Sequence, residues 1–134
     1  FMTKKVITVQ ETEVVEEAAK IMVDNEIGCI PVMKDDVLVG IVTESDLFQL
    51  FTDMFGARHS GVRAVVGMQD KPGQLAKVID KIADLKGNIV SAVTRETKDK
   101  DIRRFTIKAT NITLKQMEDI LSEVEADVID LRIV

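Results

Sequence analysis

The chain is poor in the residues that most often carry chemistry. It has no tryptophan or tyrosine, one histidine, one cysteine, two prolines and five phenylalanines in 134 residues. A lone cysteine, Cys29, excludes an internal disulfide and points to a reducing compartment, the cytoplasm. A lone histidine, His59, leaves nothing to build a catalytic triad or a histidine metal cluster on. There is no Walker loop, no GxGxxG and no HExxH. No apolar run approaches the roughly 18 residues that read as a membrane span, so no membrane partner is expected.

What is present is an ordinary globular composition, 46% hydrophobic and 31% charged, long enough for one domain or two small ones. The net charge of -5 is uneven. Residues 1–58 hold 5 Lys/Arg against 11 Asp/Glu, while residues 59–134 hold 13 against 12. That shift places a boundary near Arg58-His59-Ser60-Gly61. Neither half has the basic excess that phosphate backbones demand, so nucleic acid is not expected as a partner.

In the first half, Val6 to Val9 is β-prone. Thr12 is placed to cap a helix over residues 13–25, with Ala18, Ala19 and Met22 on one face. Cys29 to Met33 reads as a strand, in which Pro31 fits only an edge or a bulge. Lys34-Asp35-Asp36 is a short turn into a second strand over Val37 to Val42, which makes a hairpin. Leu47, Leu50, Phe51 and Met54 then follow helical spacing, closed by Gly56. The order β-α-β-β-α in under 60 residues buries little alone, so a partner domain or second copy is expected to cover the surplus apolar surface.

The second half alternates apolar and polar residues over Val62 to Met68 and turns at Asp70-Lys71-Pro72-Gly73. A helix with an apolar stripe of Leu75, Val78, Ile79, Ile82 and Leu85 follows, stopped by Gly87-Asn88. Ile89 to Thr94 and Arg104 to Ala109 read as strands about a loop at Lys98-Asp99-Lys100-Asp101. Thr113-x-x-Gln116 is a capping box for a helix bearing Met117, Ile120 and Leu121, and Ile129, Leu131 and Ile133 mark a last strand. The order β-α-β-β-α-β is the ferredoxin-like arrangement. The whole chain is therefore α+β.

The stretch Gly40-Ile41-Val42-Thr43-Glu44-Ser45-Asp46-Leu47 joins a strand to a helix start, where free N–H groups favour anions. Thr43 and Asp46 are spaced to hold a ligand with hydroxyls and a phosphate. Thr-x-x-Asp is equally spaced as a capping box, and the two readings are compatible.

Met2-Thr3, Val6-Ile7-Thr8-Val9, Glu17-Ala18-Ala19, Met22, Ile30-Pro31-Val32 and Gly40 to Leu47, in that order, make residues 1–58 resemble a CBS domain. Asp70-Lys71-Pro72-Gly73-Gln74-Leu75 and Gly87-Asn88-Ile89, with the strand order, make residues 59–134 resemble an ACT domain. The combination resembles the acetoin-utilisation regulator type of bacterial protein, in which two CBS domains usually precede the ACT domain. With Phe1-Met2 at its start, the chain is expected to hold the second CBS domain of a pair, the first being absent from this chain.

The resemblance implies ligand binding without catalysis. It assigns phosphate contact to Thr43 and ribose hydroxyls to Asp46, with adenine in a mostly apolar slot near Thr8, Cys29, Ile30 and Pro31, read by backbone groups. A hydroxyl donates to phosphate and an ionised carboxylate accepts from a diol, so both roles are chemically apt. Lys4, Lys5 and Arg58 are candidate phosphate partners or plain surface charges. Eleven acids disfavour a highly charged nucleotide without Mg²⁺, so AMP or adenosine fits at least as well as ADP or ATP. In the ACT half the resemblance implies a small effector, commonly an amino acid, at the loop Asp70, Pro72, Gly73, Gln74 and Leu75. Its N–H groups would hold a carboxylate and Asp70 an ammonium; the alternative is a plain turn capped by Asp70. Asn88 is a helix C-cap or a ligand contact.

Other residues read as structural: Cys29 as a packed small apolar residue, His59 as linker, Asp35-Asp36 and Asp99/Asp101 as turns, and the six methionines as core filling. The leading expectation is a homodimeric or larger regulatory module, not an enzyme, with an adenine nucleotide as regulatory ligand and no other cofactor. The alternative is a structural adaptor with vestigial sites. An RNA binder of ferredoxin shape needs aromatics on its open face, and the second half has Phe105 alone.

Overall fold

The computed structural model describes residues 5–134. Phe1, Met2 and Thr3, which open the first resemblance, and Lys4, a candidate phosphate partner, lie outside the described residues. The chain divides into two compact units between Phe51 and Thr52. The charge pattern had put the division between residues 58 and 59.

The first unit runs β1 (Val9–Gln10), α1 (Val15–Asp24), β2 (Cys29–Lys34), β3 (Val37–Thr43) and into α2 (Glu44–Met54), with a sheet ordered β1-β2-β3. β2 and β3 form the expected antiparallel hairpin, and Asp35 takes a left-handed φ of 54° in the turn. The Asp35 N–H donates to Gln10 Oε1. The core joins Val9, Ile30, Val32 and Val42 of the sheet to Ala18, Ile21 and Met22 of α1 and Leu47 of α2.

Three expectations for this unit are corrected. β1 is two residues long, so Val6 to Thr8 are not strand. The helix α1 begins at Val15 with Val14 as its N-cap and no side-chain cap, so Thr12 does not cap it. Upstream backbone is used first: Glu11 N–H donates to Met33 O and Glu13 N–H to Gln10 O, a turn that delays the helix. The Glu13 carboxylate then accepts from Val14 N–H at 3.0 Å. Pro31 lies in the middle strand, not at an edge. It is tolerated because β1 pairs only with Val32 and Met33, and the register shifts between those two residues. In line with the small size of this half, α2 buries none of its residues fully, although Leu47 packs against the core.

The second unit contains β4 (Val62–Gln69), α3 (Gln74–Asp84), β5 (Asn88–Glu96), β6 (Ile102–Thr110), α4 (Leu114–Glu123) and β7 (Asp127–Ile133). Its sheet is antiparallel throughout and ordered β5-β6-β4-β7. This is the expected βαββαβ arrangement. Val62, Ala64, Val66 and Met68 of β4 and Phe105, Ile107 and Ala109 of β6 face the helices. Val78 and Ile82 of α3 and Met117, Ile120 and Leu121 of α4 complete that core. The α4 capping box forms as expected: Gln116 N–H donates to Thr113 Oγ1 at 3.0 Å, and Thr113 N–H to Gln116 Oε1 at 2.9 Å.

At its N-terminal end the unit is fastened by Lys108, 5% exposed, whose Nζ donates to Gly56 O at 2.7 Å. Gly56 has φ 61°, and a Cβ there would collide with Val90 Cγ1, so only glycine fits. His59 lies in the turn between α2 and β4, its N–H donating to the same Gly56 carbonyl.

Candidate functional site

The join of β3 and α2 positions Thr43 and Asp46. Thr43 ends the strand and Asp46 sits in the first helical turn. Thr43 N–H donates to Asp46 Oδ2 at 2.9 Å, and Asp46 N–H donates to Thr43 Oγ1 at 3.2 Å. Those two bonds are a reciprocal capping box. The Thr43 hydroxyl also donates to Asp46 Oδ2 at 3.0 Å. Asp46 Oδ1 takes part in none of these bonds, so one carboxylate oxygen stays open to an incoming hydroxyl. The cap is therefore formed, and it leaves an acceptor exposed.

Strand register brings other sequence candidates to the same place. Cys29 pairs with Thr43 and Pro31 with Ile41 across the hairpin, which puts these four side chains on one sheet face. Val9 pairs with Val32, so Thr8, one residue earlier, runs alongside Pro31. This face is opposite the one carrying Val9, Ile30, Val32 and Val42 into the core. Ile30 has no exposed surface, so its side chain cannot line an adenine slot and only its backbone is left for the purpose. Cys29 is exposed, which corrects the expectation that it is packed. The register also places Ile41 and Leu38 on this face; they were not singled out in the sequence because strand facing depends on a β-bulge that no local pattern announces. Lys5 is exposed.

In the second unit, the loop Asp70 to Gly73 connects β4 to α3. Gly73, at φ 88°, is the N-cap of α3 and supplies no side-chain cap, so Asp70 does not cap the helix. The N–H groups of the first turn therefore have no side-chain acceptor from the N-cap. Asp70 N–H donates to Asp101 O, which ties the loop to the β5–β6 hairpin. Pro72 is exposed, Leu75 packs against the core, and the Gln74 amide oxygen accepts from Lys77 Nζ.

Asn88 opens β5, paired with Thr110, and α3 ends with Leu85 as C-cap and Lys86 at φ 66°. Asn88 is thus not the C-cap. Asp70 follows Gln69, which pairs with Ile102 at the other end of β6. The length of β6, at about 3.3 Å per residue, separates the two by roughly 25 Å. A single chain does not bring Asn88 to the Asp70 loop.

The β7 edge carries a tight charge cluster. Arg132 holds Asp130 through Nε and Nη2, the shortest contact being 2.7 Å, and Arg63 Nη1 approaches the same carboxylate at 3.3 Å. The hydrogen bond from Arg132 lowers the Asp130 pKa from its ordinary value, with partial desolvation opposing and the two arginine charges adding. Elsewhere Glu123 raises the pKa of Lys81, and Asp119 that of Lys115, chiefly by hydrogen bonding. Among the described residues no three His, Cys, Asp or Glu side chains gather as a metal site, and no helix is long and apolar enough to cross a membrane.

Comparison with known proteins follows the same division. The CBS domain model matches residues 1–53 and the ACT domain model residues 62–131. The uncharacterized protein MJ0653 of Methanocaldococcus jannaschii is 45% identical over 48 residues, which is 36% of this chain and 25% of that protein. The CBS domain-containing protein YhcV of Bacillus subtilis is 39% identical over 46 residues, 34% of this chain and 33% of that one. The chain thus spans a third or less of the length of these curated relatives. Among solved structures, the C-terminal domain of MgtC from Mycobacterium tuberculosis aligns at a TM-score of 0.45 and 14% identity, over 56% of this chain and 85% of that one.

Proposed function

We propose a regulatory, ligand-sensing role for this chain, which belongs to the ACT-domain family and carries a CBS domain ahead of its ACT domain. CBS and ACT domains are in general regulatory modules rather than catalytic ones, and proteins built from them oligomerise. In our reading the first unit binds adenosine or an adenine nucleotide. The supporting observation is that Thr43, with Asp46 bonded to it, shares a sheet face with Cys29 and Pro31. Asp46 Oδ1 accepts from the ribose. Thr43 turns its hydroxyl from Asp46 to a phosphate while still accepting from Asp46 N–H, so the helix keeps its cap.

That rotation gives up one hydrogen bond, worth about 1 kcal/mol, and the Asp46 charge remains beside the phosphate. The first cost falls on any phosphorylated ligand and the second grows with phosphate charge, so adenosine or AMP is favoured over ATP. The loop Asp70 to Leu75 takes a small effector with a carboxylate, such as an amino acid, at the uncapped start of α3. Any coupling between the two ligands is reciprocal. The order of the two domains supports a regulator of the acetoin-utilisation type.

A second reading, a structural adaptor with vestigial sites, is favoured by the capping box that Thr43 and Asp46 already form with each other. Calorimetric titration with adenosine, AMP, ADP and ATP separates the two. The ligand-sensing reading expects Asp46→Ala to abolish binding of all four. It expects Thr43→Ala to weaken AMP by about tenfold, the loss of one charge-assisted bond, and adenosine much less. Equal losses for adenosine and AMP on changing Thr43 would make it only a cap. Binding of none of the four would leave the adaptor.

A further inference from the structure

The open face of the second unit's sheet is unusually cationic. By strand alternation it presents Arg95 of β5, Arg104 and Lys108 of β6, Arg63 of β4 and Arg132 of β7. Most of these are committed. Lys108 donates to Gly56 O, and Arg63 and Arg132 both hold Asp130. Arg95 and Arg104 are different. They are direct cross-strand partners, and among the described residues neither makes an ion pair or a side-chain hydrogen bond. Like charges placed opposite one another in a sheet are destabilising. Arg104 Nε is moreover buried with no acceptor, a cost that a folded protein rarely leaves standing. On its other side Arg104 pairs with Gly67, which brings no side chain to answer it.

The two arginines line one open groove of about 730 Å³, together with Lys98 and Ile102. The groove also touches Glu96, Thr97 and Asp99, but among the described residues neither carboxylate forms an ion pair with Arg95 or Arg104. Glu96 follows Arg95 and points to the opposite face. The Asp99 carboxylate accepts from Asp101 N–H, and the Thr97 hydroxyl is used by the Asp99 and Ile102 carbonyls.

We propose that Arg95 and Arg104 form an anion site on this face, taking a small molecule with a phosphate monoester or a pair of carboxylates. A two-oxygen anionic group between the guanidinium forks turns their repulsion into attraction and supplies the acceptor that Arg104 Nε lacks. The site lies on the sheet face opposite α3 and α4, so it differs from the loop at the start of α3. It does not depend on that loop or on Thr43 and Asp46 being occupied.

The test is a titration of the full chain with inorganic phosphate and, separately, with succinate, read by the arginine Nε–H resonances in NMR. One of the two anions should shift the Arg104 Nε–H signal saturably, which also decides between phosphate and dicarboxylate chemistry. Chloride at equal ionic strength should not. Arg95→Gln and Arg104→Gln should each weaken that anion about tenfold or more, while Arg132→Gln leaves it unchanged. Saturating anion should raise the melting temperature of the unaltered protein and not that of Arg104→Gln. No saturable shift with either anion, or an equal shift with chloride, overturns the site, and neither readout depends on a variant folding.

Discussion

Two residues whose substitution the structure makes costly are not ligand residues at all. Gly56 combines a positive φ with a Cβ position already filled by Val90. Gly56→Ala is expected to lose about 1–2 kcal/mol to the left-handed backbone alone, with overpacking added. Urea denaturation should show this, and Val90→Ala should recover the overpacking part. Asp130 gives a pH prediction. Its pKa is lowered in the folded chain by the Arg132 hydrogen bond, so its stabilising contribution is present above the ordinary 3.8 and fades as pH falls through the lowered value. Melting temperatures of Asp130→Asn and the unaltered chain should differ at neutral pH and converge in strong acid; a difference that grows in acid contradicts the assignment. Thr43 and Asp46 were legible in the sequence because their spacing is local. The burial of Ile30 and the exposure of Cys29 were not, since which side of a strand faces the core is set by its neighbours.

At the scale of elements, the helix caps show where local reading succeeds. Thr113 and Gln116 form the box that their spacing announces, and Thr113→Ala should cost about 1 kcal/mol in thermal or denaturant unfolding. Thr12 carries an equally plausible cap signal and makes no cap, because the turn through Glu11 and Glu13 claims that backbone first. Thr12→Ala should therefore stay within about 0.5 kcal/mol of the unaltered chain. A loss equal to that of Thr113→Ala would show that α1 starts earlier in solution. The second unit's elements were readable almost throughout, since alternation and helical stripes there coincide with one core. The first unit's last helix was readable too, in its position and in its surplus apolar surface, since the small sheet beneath it buries none of its residues fully. The C-cap reading of Asn88 failed because its sequence neighbourhood to α3 conceals that it opens a strand, at the far end from Asp70.

For the whole molecule, β3 is an edge strand whose Leu38 and Ile41 are 64% and 54% exposed on the face shared with Thr43. An apolar edge of this kind is expected to be covered by a second copy. Sedimentation of the unaltered chain should give a dimer or larger species, and Leu38→Lys with Ile41→Lys should shift it toward monomer. An unchanged sedimentation coefficient would place the contact elsewhere. The same face is the one proposed to receive the nucleotide, so assembly and ligand binding are expected to be linked, each changing the other's equilibrium by the same factor. The most direct test of that proposal is the crystal structure of the chain grown with AMP. The account predicts density for the nucleotide at the β3–α2 join, with ribose hydroxyls on Asp46 and the phosphate within hydrogen-bonding distance of Thr43 Oγ1. AMP bound elsewhere, or no AMP at saturating concentration with the Thr43–Asp46 bonds unchanged, would contradict it.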